Sequence, residues 1–151
     1  MSNDSRLRDL NITLPDAPAP AANYVPYVQT GNLLFVSGQI SSGPDGLIKG
    51  RLGADMNVTQ GAAAARACGL ALLAQANAAL GSLDRVARVV KLTGFVASTT
   101  DFTDQPEVVN GCSDLMVEVF GDKGRHARAA VSAAALPRGV AVEIEAIFEI
   151  A

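Results

Sequence analysis

Arg128 and Glu143 draw attention in the stretch "GRHARAAVSAAALPRGVAVEIEAIFEI", Gly124 to Ile150, because each interrupts a run of small or apolar residues. A guanidinium taken out of water without an anion costs several kcal/mol, so an arginine set among alanines needs a carboxylate partner. Its planar fork grips a carboxylate through two parallel N–H donors, a geometry that lysine cannot reproduce. Most ion pairs are structural, so the pattern alone favours a protein carboxylate; the alternative is a ligand carboxylate, held in the space that the small side chains of "RAAVSAAA" leave open.

His126 is the sole histidine and lies two positions before Arg128. Its pKa range suits proton transfer, but with no partner visible in the sequence the plainer reading is an imidazole that packs in a loop or interface and makes one hydrogen bond. Ser37, in "VSGQI", lacks the nucleophile-elbow pattern and has no histidine–carboxylate relay beside it, which argues against a serine hydrolase. Tyr24 and Tyr27 either pack their segment or offer a phenol to a ligand. The two cysteines, Cys68 and Cys112, fit no metal-ligand spacing and read as buried thiols of a reducing compartment, with no metal site expected.

The elements that must position these residues follow from periodicity. "LPDAPAPAANYVPY", Leu14 to Tyr27, holds four prolines and reads as an extended arm. A Gly31-Asn32 turn opens a short buried strand over Leu33 to Val36, so arm and strand can form a hairpin. "SSGPDGLIKGRLGAD" reads as an exposed excursion. A helix capped at Thr59 runs to Gly81, and its Ala/Leu richness suits it to lie flat on a sheet. A strand begins near Val86, with a bulge where its phase slips at Val89-Val90. A second helix, capped by Thr103 or Asp104 and carrying Pro106 in its first turn, ends at Gly121. Two last strands span Arg128 to Ala134 and Val140 to Ile150. In the final strand Val140, Val142, Ile144, Ala146, Phe148 and Ile150 share one face, while Glu143, Glu145 and Glu149 share the other. This order predicts a mixed sheet with both helices on one face and the other face left for a partner subunit.

Composition sets the outer limits. A chain of 151 residues, 49% hydrophobic, fits a single domain over residues 1–151, with residues 1–13 expected as a flexible N-terminal arm. The net charge of −3 and the lack of any basic cluster argue against nucleic acid. The polar N-terminus has no apolar leader, and no run of transmembrane length is read, so no membrane role and a cytoplasmic location are expected.

Taken together, "YVPYVQTGNLLFVSGQI", Asn110, "ARAAV" and "LPRGVAVEIEAI" resemble the Rid/YjgF family of reactive intermediate deaminases, also known as perchloric-acid-soluble endoribonucleases (L-PSP). The resemblance covers most of the chain. It implies an α+β, chorismate-mutase-like fold, assembled as a homotrimer with a barrel-like core and clefts between subunits. It further implies that Arg128 binds a substrate carboxylate, that Glu143 manages water at the imine end, and that Tyr24 and Asn110 support the cleft. Ala130 stands at a substrate-side position where cysteine is frequent in the family, and His126-Ala127 replaces the usual Pro-Ala. The implied reaction is hydrolysis of 2-imino or enamino acids to 2-keto acids and ammonia, with no cofactor. The alternatives are a regulatory trimer that binds a small carboxylate without turnover, and an endoribonuclease or translation inhibitor, which the acidic balance disfavours.

Overall fold

Ser2 caps a short helix, Asn3–Asp9 (α1), its hydroxyl accepting from the Ser5 amide. This computed structural model describes residues 2–151, so Met1 lies outside it. Leu7 is buried, Ile12 and Leu14 pack on the core, and Arg6 Nε donates to the Glu118 carbonyl at 2.8 Å. The flexible arm expected for residues 1–13 is therefore a docked helix and turn over the described residues. Its apolar positions were too few to announce it.

The Gly31-Asn32 turn, with Gly31 at φ 59°, joins Tyr27–Thr30 (β1) to Leu33–Ile40 (β2) in the expected hairpin. The following excursion is not featureless: Ser42–Gly43 (β3) and Gly46–Leu47 (β4) form a small hairpin of their own. The first long helix is Val58–Leu80 (α2), and its cap is Asn57 rather than Thr59. Asn57 accepts from the Gln60 amide while the Gln60 side chain accepts from the Asn57 amide, a reciprocal pair that outcompetes a lone threonine two residues later. Helix α2 is long and apolar enough to meet a membrane-span criterion, contrary to the sequence reading, but most of it is packed inside the protein.

Val86–Ala97 (β5) pairs with Val142–Ile150 (β7) antiparallel, with register shifts at Val86/Arg88 and Val89/Lys91 that match the expected bulge. Gln105–Phe120 (α3) begins at Asp104, which makes no side-chain capping bond. Ala127–Ala133 (β6) pairs parallel with β5. Strand β7 starts at Val142 because Val140 is drawn into an isolated bridge with Lys49.

The sheet order is β1-β2-β7-β5-β6, antiparallel except for β5-β6, and both long helices pack on one face. That mixed sheet with two helices on one face is what the alternation predicted, and it is the α+β architecture the resemblance implied. Val142, Ile144, Ala146, Phe148 and Ile150 are buried beneath the helices, with Leu34, Val36 and Leu92 beside them. The opposite face keeps Phe35 and Val131 exposed at 40% and 43%, next to the row of glutamates. Glycines bring α3 close: a Cβ on Gly94 would come within 2.7 Å of Val109, and one on Gly111 would overlap the Ala62 backbone of α2.

Candidate functional site

Arg128 sits second in β6, aligned across the sheet with Leu92 and through it with Ala146. Registered neighbours point the same way, so Arg128 projects toward the helix side of the sheet, where α3 receives it. Its Nη1 donates to Asn110 Oδ1 at 2.8 Å and to Ser113 Oγ at 3.1 Å, and its Nη2 donates to the Pro106 carbonyl at 3.4 Å. Positions 106, 110 and 113 recur at helical spacing, which lays all three partners on one stripe of α3. Among the described residues no carboxylate lies within ion-pair distance of Arg128; the ion pairs are Arg66–Glu118 and Arg125–Asp122. The ion pair with a protein carboxylate that the pattern favoured is thus not formed among the described residues.

The donors that remain matter. A guanidinium has five N–H groups, and three are engaged here by neutral oxygens. The two left over are Nε–H and one on Nη2, and these are the two nitrogens whose shared edge takes a carboxylate side-on. Ala130 lies two residues along the same face of β6, and its methyl leaves room there.

His126 has partners that the sequence did not reveal. Its Nδ1 lies 2.6 Å from the Gly124 carbonyl, and its Nε2 lies 2.9 Å from Ser113 Oγ. A carbonyl only accepts, so Nδ1 carries the proton and Nε2 accepts from the serine hydroxyl. Burial, and after it the Arg128 charge, hold the imidazole below its ordinary pKa of 6.5, which keeps it neutral, while the bond to Gly124 works the other way. Ser113, Asp114, Val117, Arg125, His126 and Arg128 line a hollow of about 270 Å³.

Glu143 occupies the other face. Within β7 it alternates with buried Val142 and Ile144, and it is half-buried itself. Burial, followed by the Glu145 charge, raises its pKa above the ordinary 4.5. Gly38 makes room for it: a Cβ there would come within 2.8 Å of Glu143 Oε2. Glu143, Tyr24, Gly38, Gln39 and Arg138 share a second cavity of about 260 Å³ with the proline-rich arm. Buried Gln75 holds that arm in place through its Nε2, which donates to the Pro18 carbonyl at 2.7 Å and to Gln39 Oε1 at 3.4 Å.

The expected site residues therefore fall into two groups. Arg128, Asn110 and Ala130 stand together with α3, and Tyr24 stands with Glu143 under the arm. Within one chain Arg128 and Glu143 lie on opposite faces of the sheet. Sequence reasoning missed Ser113, Gln75 and Gly38. Ser113 was within reach, since it lies one helical turn from Asn110 and must share its face.

The family model described as endoribonuclease L-PSP matches residues 14–150. Protein TCP17 of Trypanosoma cruzi is 54% identical over 148 residues, covering 97% of this chain and 92% of that protein. The crystal structure of a putative endoribonuclease from Shewanella oneidensis MR-1 is 33% identical, with a TM-score of 0.94 over 99% of both chains. That of E. coli TdcF with bound serine is 29% identical, with a TM-score of 0.63 over 88% of this chain and 92% of that one.

Proposed function

The chain belongs to the endoribonuclease L-PSP family, the Rid/YjgF family its motifs resemble, and from that premise we propose that it hydrolyses 2-imino acids, or the enamines they tautomerise from, to 2-keto acids and ammonia. The observation that carries this reading is the state of Arg128: a guanidinium fixed by three neutral oxygens, with Nε–H and one Nη2 proton unpaired on the nitrogens of its side-on edge. That edge fits the carboxylate that every 2-imino acid carries. The serine bound to E. coli TdcF, itself a small amino acid, agrees with such a ligand class.

Because Arg128 and Glu143 lie on opposite faces of one sheet, the reading requires two copies of the chain. In the proposed homotrimer, Arg128 of one copy holds the substrate carboxylate, and Glu143 with Tyr24 of the next approaches the imine carbon. Glu143 takes a proton from water as the oxygen attacks that carbon, giving a carbinolamine. Glu143 passes that proton to nitrogen, then takes the carbinolamine hydroxyl proton as the carbonyl forms and delivers it to nitrogen as the C–N bond breaks, so ammonia and the 2-keto acid leave. Atoms balance as imine plus water. A carboxylate with a raised pKa is a better acceptor for that proton than an ordinary one, and a positioned base contributes about a hundredfold to ten-thousandfold.

The test is release of 2-keto acid from imines made in situ by an amino-acid oxidase, with wild type set against Arg128→Ala and Arg128→Lys. Acceleration lost in both variants supports the reading. No acceleration over small, branched and aromatic imines, together with saturable keto-acid binding, would replace it with a carboxylate-binding regulator that does not turn over.

A further inference from the structure

We propose that Ser113 and His126 are positioning residues for Arg128, forming a one-way hydrogen-bond relay that fixes which edge of the guanidinium is offered to the substrate carboxylate. The inference rests on the reading of Arg128 as the carboxylate holder and assigns a role to two residues outside that reading.

The direction of every bond in the relay follows from its ends. The Gly124 carbonyl can only accept, so it takes the Nδ1 proton of His126 over 2.6 Å. That leaves Nε2 as a lone pair, which draws the Ser113 hydroxyl proton over 2.9 Å. The serine oxygen, its own proton committed, then faces Arg128 with lone pairs and accepts from Nη1 over 3.1 Å. Asn110 Oδ1 takes the second Nη1 proton at 2.8 Å. With both Nη1 protons occupied, the guanidinium plane cannot rotate to present its end-on edge, and the pair at Nε and Nη2 is the one left to a ligand. Without the imidazole the hydroxyl is free to spin and to compete as a donor, and the restraint on Arg128 weakens.

The surroundings fit this role. Gly124 is buried, and a Cβ there would overlap the Met116 and Val117 backbone, so its carbonyl is set by close packing against α3. The held-down pKa of His126 keeps its Nε2 unprotonated at neutral pH, as the relay requires. The relay also explains why a histidine works at the position where the family commonly has proline: it supplies, from the residue just before β6, the acceptor that orients a serine on α3.

The decisive experiment measures pyruvate binding by calorimetry at pH 7.5 for wild type, Ser113→Ala, Ser113→Thr, His126→Phe and His126→Gln. The Gln amide oxygen can stand in for Nε2 as acceptor, and Thr keeps the hydroxyl. The relay predicts that Ser113→Ala and His126→Phe weaken binding about tenfold, while Ser113→Thr and His126→Gln stay within about twofold of wild type. A purely structural role would not be rescued by acceptor chemistry. Binding unchanged in Ser113→Ala and His126→Phe, or His126→Gln as weak as His126→Phe, overturns the relay and leaves the carboxylate reading of Arg128 standing. A wild-type protein that binds neither pyruvate nor 2-oxobutanoate overturns both.

Discussion

At the scale of single residues, the proposed chemistry is divided between a fixed cation and a poised carboxylate. Replacing Arg128 by Lys retains the charge but loses the fork, so kcat/KM for imine hydrolysis should fall by about a hundredfold, close to the loss in Arg128→Ala, in the oxidase-coupled assay. In the proposed reaction Glu143 acts in its ionised form. Because burial and Glu145 raise its pKa, the rate should fall with acid at a pH above 4.5, and Glu143→Gln should lose both that limb and roughly a hundredfold or more in kcat. His126 has the opposite linkage. Its folded pKa is depressed, so the unfolded chain binds the extra proton first, and stability is present above pH 6.5 and lost as pH falls toward the folded value. Urea denaturation between pH 5 and 8 should show that slope in wild type and a flatter one in His126→Gln.

Among the elements, α3 is the one that makes the Arg128 site, because Pro106, Asn110 and Ser113 all lie on the stripe facing β6. Its seat depends on Gly111 against α2 and Gly94 beneath Val109. Gly111→Ala gains helix propensity but drives a methyl into the Ala62 backbone. We expect a net loss of about 1–3 kcal/mol and a midpoint lowered by several degrees in a thermal melt, with keto-acid affinity falling as α3 shifts. Much of this layer was legible beforehand: the hairpin at Gly31-Asn32, both long helices, the bulged β5 and the two faces of β7 follow from turn chemistry and side-chain period. What was not legible depends on distant partners. Helix α1 forms because Leu7 finds the core and Arg6 finds the end of α3, contacts that seven residues cannot announce. Asn57 displaces Thr59 as a cap only because Gln60 answers it. The arm's course under Gln75 is set by a hydrogen bond between positions 18 and 75. The separation of Arg128 from Glu143 needed the strand order, since β5 stands between β6 and β7 and the parities of their registers place the two side chains on opposite faces.

For the whole molecule, the proposed reaction and the uncovered sheet face both call for a second copy of the chain. Phe35 and Val131 leave apolar surface beside the glutamates of β7, where a neighbouring sheet would bury it. Phe35→Glu should therefore shift the sedimentation of the protein toward monomer and abolish hydrolysis together. The most direct test of the central claim combines two inactive chains. Arg128→Ala and Glu143→Gln proteins are unfolded together, refolded as mixed trimers, and assayed for keto-acid release from an oxidase-generated imine. If each site takes Arg128 from one copy and Glu143 from the next, about one site in four regains both groups, and the mixture should recover about a quarter of wild-type activity while each parent alone stays inactive. A mixture as inactive as its parents, beside an active wild type refolded in the same way, would contradict a site shared between subunits.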